Sequence, residues 1–199
     1  MLRPDRLDIP RRWKRPRRIF VNSMSDLFHE LVPVDFIERV YDVMAQAVRH
    51  TFQILTKRPE RMSEFFAEAE DTPEVPPEGR AFLRPPLPNV WLGTSIENQR
   101  HAYRADILRG VPAFVRFISA EPLLGPLELD LAGIDWLIVG GESGPHHRPC
   151  DPAWVKSLRD QAVEQGVAFF FKQWGGRTPK AGGRLLDGVE WSQMPGAAR

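Results

Sequence analysis

The sequence predicts an α/β fold built from parallel βα units. Short apolar segments, rich in β-branched and aromatic residues, alternate along the 199-residue chain with segments whose apolar residues recur at helical spacing. Such alternation is typical of a parallel sheet covered by helices. Six strands of this kind fit either an open, doubly wound sheet or most of a (β/α)8 barrel, within a single domain over residues 1–199.

The composition is ordinary for a globular protein. Hydrophobic residues make up 42% of the chain and charged residues 27%, and the formal net charge is +1. No apolar run approaches the ~20 residues of a membrane span, and the chain does not start with the pattern of a signal peptide. We therefore expect a cytoplasmic protein. The single cysteine, Cys150, excludes an internal disulfide and any metal cluster that takes several thiolates from this chain.

The first 18 residues carry an excess of positive charge. Eight Lys and Arg residues stand there against Asp5 and Asp8, which gives this stretch a net charge of +6. A basic arm over residues 1–17, leading into the first strand, can contact phosphates, so nucleic acid is a candidate partner through residues 3–18. The alternative is a solvated lead-in without a partner.

Six strands are predicted from their apolar, β-rich composition. They cover residues 18–22, 52–56, 90–94, 114–119, 135–139 and 168–172. Pro33 and Pro59 each open a helix after a strand, because proline suits the first helical turn. The apolar stripe of the first helix is formed by Val34, Ile37, Val40, Tyr41, Met44 and Val48, and that of the second by Met62, Phe65 and Phe66.

Residues 68–89 interrupt this alternation. They combine five acidic residues with six prolines, so we predict an irregular surface loop. After the third strand, Thr94-x-x-Glu97 matches a capping box at the start of a helix that Gly110 can end. The capping box explains Glu97 without a functional role.

The last third of the chain predicts one more helix and a hairpin. Asp151 and Pro152 are typical of an N-cap and first helical position, and Gly166 suits the end of the same helix. The C-terminal extension, residues 175–199, contains a hairpin around the Asp187-Gly188 turn.

Polar or small residues follow every predicted strand. In parallel α/β folds ligands bind at the carboxyl edge of the sheet, so six such strand ends predict a common site. The expected ligand-binding residues are Asn22, Ser23, Asp26, Thr56, Lys57, Ser95, Gly140, Gly141, Ser143 and Gln173. A small molecule or a nucleotide is the expected ligand.

Glu142 is the first candidate for a functional carboxylate. It follows Gly140-Gly141, where glycines let backbone approach a ligand, and a glutamate there can accept an ammonium or hydroxyl group or act as a general base. The alternative is a turn in which Glu142 caps a local donor. Ser143 does not fit a hydrolase nucleophile elbow, because Pro145 occupies the last position of G-x-S-x-G.

Glu121 and Lys172 are the other catalytic candidates. Glu121 follows the fourth strand, and Lys172 ends the sixth, where its ammonium group can bind a carboxylate or phosphate, as can Lys57. No metal site is predicted, since the adjacent His146 and His147 match no metal-ligand spacing. Neither a Walker sequence nor G-x-G-x-x-G occurs.

Several motifs together resemble one family. They are Phe20-Val21-Asn22-Ser23-Met24-Ser25-Asp26-Leu27-Phe28-His29, Leu55-Thr56-Lys57-Arg58-Pro59, Asn89-Val90-Trp91-Leu92-Gly93, Glu121-Pro122-Leu123-Leu124-Gly125, Val139-Gly140-Gly141-Glu142-Ser143-Gly144 and Phe171-Lys172-Gln173-Trp174-Gly175. In order, over about residues 7–195, they are similar to an uncharacterised family of phage and bacterial proteins. That family is placed by similarity among the radical S-adenosylmethionine (SAM) barrel proteins.

The resemblance implies an incomplete (β/α) barrel and, for full-length relatives, SAM and a [4Fe–4S] cluster. Members of the family begin with a segment of closely spaced cysteines that would ligate the cluster, and this chain starts downstream of it. We therefore expect a truncated, radical-SAM-like protein that holds no cluster and does not cleave SAM. Two alternatives stay open: a cluster-independent module that binds nucleotide or nucleic acid, and an acid–base enzyme that uses Glu142 and Glu121.

Overall fold

A computed structural model of the chain describes residues 2–70, 86–178 and 180–196. Most of the predicted acidic, proline-rich loop, residues 71–85, lies outside the described residues, as do the last three residues of the C-terminal extension. The chain forms two compact units. The N-terminal unit comprises residues 1–93 and 110–114, and the C-terminal unit comprises residues 94–109 and 115–199.

Six parallel strands alternate with helices along the chain, and a two-stranded antiparallel hairpin follows them. The strands are β1 (Arg18–Val21), β2 (Thr51–Thr56), β3 (Val90–Ser95), β4 (Val115–Ala120), β5 (Trp136–Gly140), β6 (Ala168–Gln173), and β7 (Leu185–Leu186) with β8 (Val189–Glu190) in the hairpin. The helices are α1 (Ile9–Arg12), α2 (Val34–Gln46), α3 (Pro59–Glu70), α4 (Arg104–Gly110) and α5 (Pro152–Glu164). The strand order is β1-β2-β3-β4-β5-β6, which confirms the predicted α/β fold class, an incomplete (β/α) barrel with a C-terminal hairpin.

In the N-terminal unit, β1 pairs in parallel with β2, with Arg18 opposite Thr51. The predicted apolar stripe of α2 is buried at its four central positions, from Ile37 to Met44. Val34 and Val48 are exposed, because the helix begins at Val34 and ends before Val48. The α3 stripe is buried as predicted.

The predicted capping box after β3 is wrong. Thr94 belongs to β3 and is buried, so it does not cap a helix. A short 3₁₀ turn, Gln99–His101, follows instead, and the side chain of Asn98 caps it by accepting from the backbone N–H of Arg100. Because β3 extends through Ser95 and the 3₁₀ turn follows it, the α-helix begins only at Arg104.

In the C-terminal unit, β4, β5 and β6 form a continuous parallel sheet. Asp151 caps α5 as predicted, since its Oδ1 accepts from the backbone N–H of Ala153 at 2.8 Å. Gly166, with φ of 70°, ends the same helix. The strands and α5 bury apolar side chains that include Leu137, Phe169 and Leu158.

The C-terminal extension covers the outer edge of β6. Asp187 and Gly188 both have positive φ, 52° and 77°, as a two-residue hairpin turn requires. Beyond the hairpin, Phe171 donates its N–H to the Trp191 carbonyl at 2.9 Å, and Gln193 donates to the Phe169 carbonyl at 3.1 Å. This segment satisfies backbone groups that an edge strand would expose. In the part of the chain that the structure describes, no helix is both long and apolar enough to cross a membrane.

Candidate functional site

Three predicted site residues meet at the carboxyl ends of β4 and β6. The Lys172 ammonium donates to Oε2 of Glu121 at 2.9 Å, and the side-chain amide of Gln173 donates to Oε1 of Glu121 at 2.6 Å. The same amide donates to the Gly141 carbonyl at 3.2 Å. We call Glu121, Lys172 and Gln173 the β4–β6 cluster.

Gly140, the last residue of β5, lies between the two strands that supply the cluster. A Cβ atom there would stand 3.2 Å from the Gln173 amide nitrogen and 3.3 Å from both Cγ and Cδ of Glu121. Such distances are tighter than ordinary van der Waals contacts. Glycine at this position thus lets side chains from β4 and β6 meet across the end of β5.

A register shift in β6 lies beside the lysine of the cluster. Val139 pairs with Phe171, but the next residue, Gly140, pairs with Gln173, so Lys172 is the extra residue of a β-bulge. The Lys172 side chain is 53% exposed and the neighbouring Gln173 is buried, which continues the alternation of buried and less buried residues along β6. The Glu121 side chain is 21% exposed. The cluster therefore has both a buried anchor and a solvent-accessible ion pair.

Glu142 is held by an arginine that the sequence motifs did not single out. Arg148 donates to both carboxylate oxygens, from Nε and Nη2 at 2.8 Å each, and its backbone N–H donates to Oε2 at 2.8 Å. These hydrogen bonds lower the pKa of Glu142 to about 2. A carboxylate this acidic stays ionised near neutral pH, which makes it a poor general acid or base. Its contacts close the loop from residue 142 to 148.

The second glycine of the pair, Gly141, serves backbone packing. A Cβ atom on Gly141 would collide with the carbonyl of Trp174, and one on Gly175 would collide with the carbonyl of Glu142. The two turns also exchange hydrogen bonds, because Gly176 donates to the Glu142 carbonyl at 2.9 Å. Ser143 lies in this pairing, as a bridge partner of Gly176, and is exposed.

In the N-terminal unit, Asp26 joins the loop after β1 to the end of β2. Its Oδ1 accepts from the Thr56 hydroxyl at 2.8 Å and from the backbone of Phe28, and its Oδ2 accepts from the backbone of Lys57 and from Arg58, both at 3.1 Å. Both oxygens are thus engaged within the protein. Asp26, Thr56 and the Lys57 backbone form a structural brace at these two strand ends.

The remaining predicted residues lie apart from these contacts. Asn22 and Ser23 are exposed in the loop after β1, and Asn22 has a positive φ of 61°. Ser95 is buried at the end of β3, and its carbonyl accepts from Arg104 at 2.8 Å. Arg104 also lies 3.6 Å from Glu97. Ser95 and Glu97 therefore both contact Arg104, which no local sequence pattern predicts.

The basic arm is docked on the N-terminal unit by a buried histidine. Nδ1 of His50 accepts from the backbone N–H of Arg17 at 3.2 Å, and Nε2 lies 2.9 Å from the Pro10 carbonyl. Because Nδ1 accepts, Nε2 carries the proton. The Arg17 guanidinium stacks 4.4 Å from the centre of the Trp13 ring. The arm therefore lies against the protein while several of its cations face solvent.

The potential metal-ligating side chains of this chain do not fit a [4Fe–4S] cluster. The sequence has one cysteine, and burial raises the pKa of the Cys150 thiol to about 11, whereas a cluster ligand is a thiolate. Over residues 2–70, 86–178 and 180–196, no three His, Cys, Asp or Glu side chains are grouped to hold a metal ion.

Comparison with known proteins gives one family. A family model described as "Protein of unknown function (DUF5131)" matches residues 1–195. No curated protein and no solved structure matches the chain significantly. Phage origin, a cytoplasmic location and the radical-SAM relationship therefore stay predictions from the sequence.

Proposed function

We propose that the β4–β6 cluster binds a small polar molecule and that Glu121 and Lys172 act on it as an acid–base pair. The chain belongs to the DUF5131 family, whose members are proteins of unknown function. The observation that carries the proposal is the solvent-accessible ion pair between these two side chains, in which Nζ of Lys172 lies 2.9 Å from Oε2 of Glu121 at the carboxyl ends of β4 and β6. In such a pair one group donates a proton to the bound molecule and the other accepts a proton from it.

The two charges of the pair suit a ligand with two kinds of polar group. An anionic group of the ligand, such as a carboxylate or phosphate, would contact the exposed ammonium of Lys172. A hydroxyl or amine of the ligand would donate to Oε2 of Glu121, the oxygen that now accepts from Lys172. Gln173 would keep Oε1 in place during this exchange, because its amide is anchored to the Gly141 carbonyl.

Glu121 suits proton transfer better than Glu142. Among the residues that the structure describes, the cationic partner of Glu121 is one exposed lysine, so a ligand can displace that contact. Glu142 would have to give up a bidentate arginine and a backbone donor. Of the two carboxylates that the sequence singled out, Glu121 is therefore our candidate base.

A ligand screen tests this proposal. We would measure thermal shifts of the protein with carboxylates, phosphates, amino acids and nucleotides, and then titrate any compound that stabilises it. The expected result is that Glu121→Gln and Lys172→Met each weaken binding at least about tenfold, as loss of a charged hydrogen bond does. Lys156→Met is the matched control, since Lys156 forms an exposed ion pair with Asp187 at 2.7 Å. Binding that survives both cluster substitutions would refute the proposal.

Nucleic acid is a second candidate ligand, through the basic arm. Arg12, Lys14 and Arg15 are exposed on the arm, whose residues 1–18 have a net charge of +6. Phosphate binding by these groups would weaken as salt rises, because counterions are released on binding. Replacing all three by Gln should weaken binding of a labelled single-stranded DNA and flatten its salt dependence, whereas Lys180→Gln should do neither. Salt-independent binding, or none, would rule out this candidate.

Radical-SAM chemistry is the third candidate, and it rests on the sequence resemblance and on the fold class. The cluster that such chemistry uses would need thiolates from outside the 199 residues, because this chain has one cysteine. Anaerobic reconstitution with iron and sulfide should leave this chain without cluster absorbance. A stable four-iron cluster on the chain would contradict our conclusion that its side chains do not ligate a [4Fe–4S] cluster.

A further inference from the structure

A cleft in the N-terminal unit has the size of a ligand-binding site. Its volume is about 910 Å³, and it is lined chiefly by residues of the basic arm, β1, the following loop and α2, so we call it the β1–α2 cleft. All of its lining residues belong to the N-terminal unit, whereas the β4–β6 cluster belongs to the C-terminal unit. A ligand of the cleft would therefore be bound by other residues than those of the proposed acid–base pair.

The body of the β1–α2 cleft is apolar. Ile19 and Val21 contribute to its lining from β1, and Val40 and Met44 contribute from α2. Val40 and Met44 are buried, and the two strand residues are half-buried. Side chains of this kind suit the hydrocarbon part of a ligand, because binding there removes apolar surface from water.

Three large apolar side chains of the lining are exposed to solvent. Phe20 is 44% exposed, Leu31 81% and Met24 96%. Exposed apolar side chains collected at one place mark an interaction surface. The apolar lining thus continues from buried side chains to ones that a bound hydrocarbon chain would cover.

The charged and imidazole groups of the lining favour an anion. Arg6 forms no salt bridge within the described part of the chain, since the carboxylate of the neighbouring Asp5 pairs with Arg3 at 2.8 Å. Nδ1 of His29 accepts from the backbone N–H of the second residue after it at 3.2 Å, so Nε2 carries the ring proton and is a donor. The carboxylate of Asp26 also lines the cleft, but both of its oxygens are engaged in the brace described above.

The charge of the arm distinguishes between two possible occupants. Residues 1–18, several of which line the cleft, have a net charge of +6. Two copies of this chain joined at the cleft would bring two such arms together, and their repulsion disfavours self-association there. An anionic head group would instead be attracted.

We propose that the β1–α2 cleft binds a single-chain anionic amphiphile, with the chemistry of a long-chain carboxylate. Its hydrocarbon chain would lie against Val21 and Met44 and would cover Leu31. Its carboxylate would accept from the Arg6 guanidinium, with Nε2 of His29 as a second donor. The site thus pairs an apolar wall with cationic and neutral donors, as an amphiphile with one anionic end requires.

Dodecanoate is a suitable probe, at concentrations below those at which it forms micelles. Isothermal titration calorimetry of the unaltered chain should show one saturable site. Dodecyltrimethylammonium, which has the same chain length and a cationic head group, should bind at least about tenfold more weakly. Decanoate should also bind about tenfold more weakly than dodecanoate, because its chain is shorter and each buried methylene group contributes about fourfold in affinity.

Two substitutions separate the head-group contact from the apolar contact. Arg6→Gln should weaken dodecanoate binding about tenfold, as loss of a charged hydrogen bond does, and should leave binding of the uncharged decanol unchanged. Leu31→Ser should weaken binding of both compounds, because it removes apolar surface. Arg12→Gln is the matched control for Arg6→Gln, since Arg12 is exposed on the same arm and does not line the cleft.

Paramagnetic broadening of amide resonances locates the ligand without any variant. A fatty carboxylate with a nitroxide on its chain should broaden residues that line the cleft most strongly, Val21 and Val40 among them. Lack of saturable binding, tighter binding of the cationic amphiphile, equal effects of Arg6→Gln and Arg12→Gln, or strongest broadening elsewhere would overturn the proposal. So would dimers that Leu31→Ser abolishes, or sedimentation with phosphatidylglycerol vesicles without dodecanoate binding, because a second copy or a membrane surface would then be the occupant.

Discussion

Replacing Gly141 by alanine tests why β5 ends in two glycines. No positive φ is required at Gly141, so alanine can adopt its backbone conformation and only the added Cβ atom matters. That atom would collide with the Trp174 carbonyl oxygen and stand 2.6 Å from its carbon. Both are backbone atoms of the adjoining turn and cannot move aside by a change of rotamer. If the glycine served only ligand approach, the substitution would leave stability unchanged.

The size of the effect follows from this contact. Overpacking costs ~1–3 kcal/mol, and a backbone obstacle places Gly141→Ala near the upper end, about 3 kcal/mol. At ~2–4 °C per kcal/mol for a chain of this length, Tm should fall by about 6–12 °C. Circular dichroism melts measure the shift, and urea unfolding gives the free energy of unfolding independently.

Gly125→Ala is the matched control for this substitution. Gly125 lies in the same unit, has no positive φ, and has no atom within 4 Å of a Cβ built on it. Its substitution should change the free energy of unfolding by less than about 0.5 kcal/mol. A Gly141→Ala protein that melts at the temperature of the unaltered chain would refute the packing explanation and restore the ligand-approach interpretation.

Three further substitutions follow from the same contacts. Gly140→Ala should lower the free energy of unfolding by only about 1 kcal/mol, because the Glu121 and Gln173 side chains that the new methyl group meets can shift. The shift should displace the Glu121 carboxylate from its position in the β4–β6 cluster. A thermal melt measures the first effect and a ligand titration the second. Arg148→Met should return the pKa of Glu142 from about 2 towards 4.5. In the unaltered protein the Glu142–Arg148 ion pair therefore stabilises the fold fully above about pH 4.5, and this stabilisation is lost as the pH falls towards 2. A carboxyl NMR titration measures the midpoint, and an unmoved midpoint in the variant would mean that Arg148 does not lower this pKa. Asp26→Asn should lower the free energy of unfolding by about 1–3 kcal/mol in urea, since it weakens a half-buried ion pair and the hydrogen bonds that the carboxylate accepts. Asp106→Asn, in an exposed pair, should cost under about 1 kcal/mol, and equal losses would count against the brace.

The strands of the sheet and the longer helices were predictable because each has a local signal, whereas α1 lies within the predicted basic arm. Apolar β-rich segments marked all six strands of the sheet, and Asp151, Pro152 and Gly166 marked both ends of α5. The failure at Thr94 has a physical reason. A capping-box pattern states only that a helix can begin there, and the β3 strand continues through Ser95 because its side chains are buried. Burial of the β3 side chains therefore favoured the strand over the helix start that the capping-box pattern predicted.

The site was predictable in part, because contacts between distant loops have no local signal. The sequence indicated Glu121, Lys172 and Gln173 as strand-end residues, but not the register shift between β5 and β6 or the hydrogen bonds that join the three side chains. Arg148 stands six residues after Glu142 in a loop without periodicity, so nothing in the spacing pairs them. Likewise a glycine pair has the same appearance whether it faces a ligand or another backbone.

Each glycine at the end of β5 has a separate consequence for where a ligand can bind. Gly141 brings two turns into backbone contact and thereby fixes the loop that Arg148 closes around Glu142. Gly140 leaves room for the side chains of Glu121 and Gln173 to meet across the end of β5, where Glu121 also accepts from Lys172. A carboxylate acts on a ligand only if the ligand can compete for it, and one exposed lysine is an easier competitor than a bidentate arginine. We therefore propose Glu121, rather than Glu142, as the carboxylate that acts on a ligand at this sheet edge.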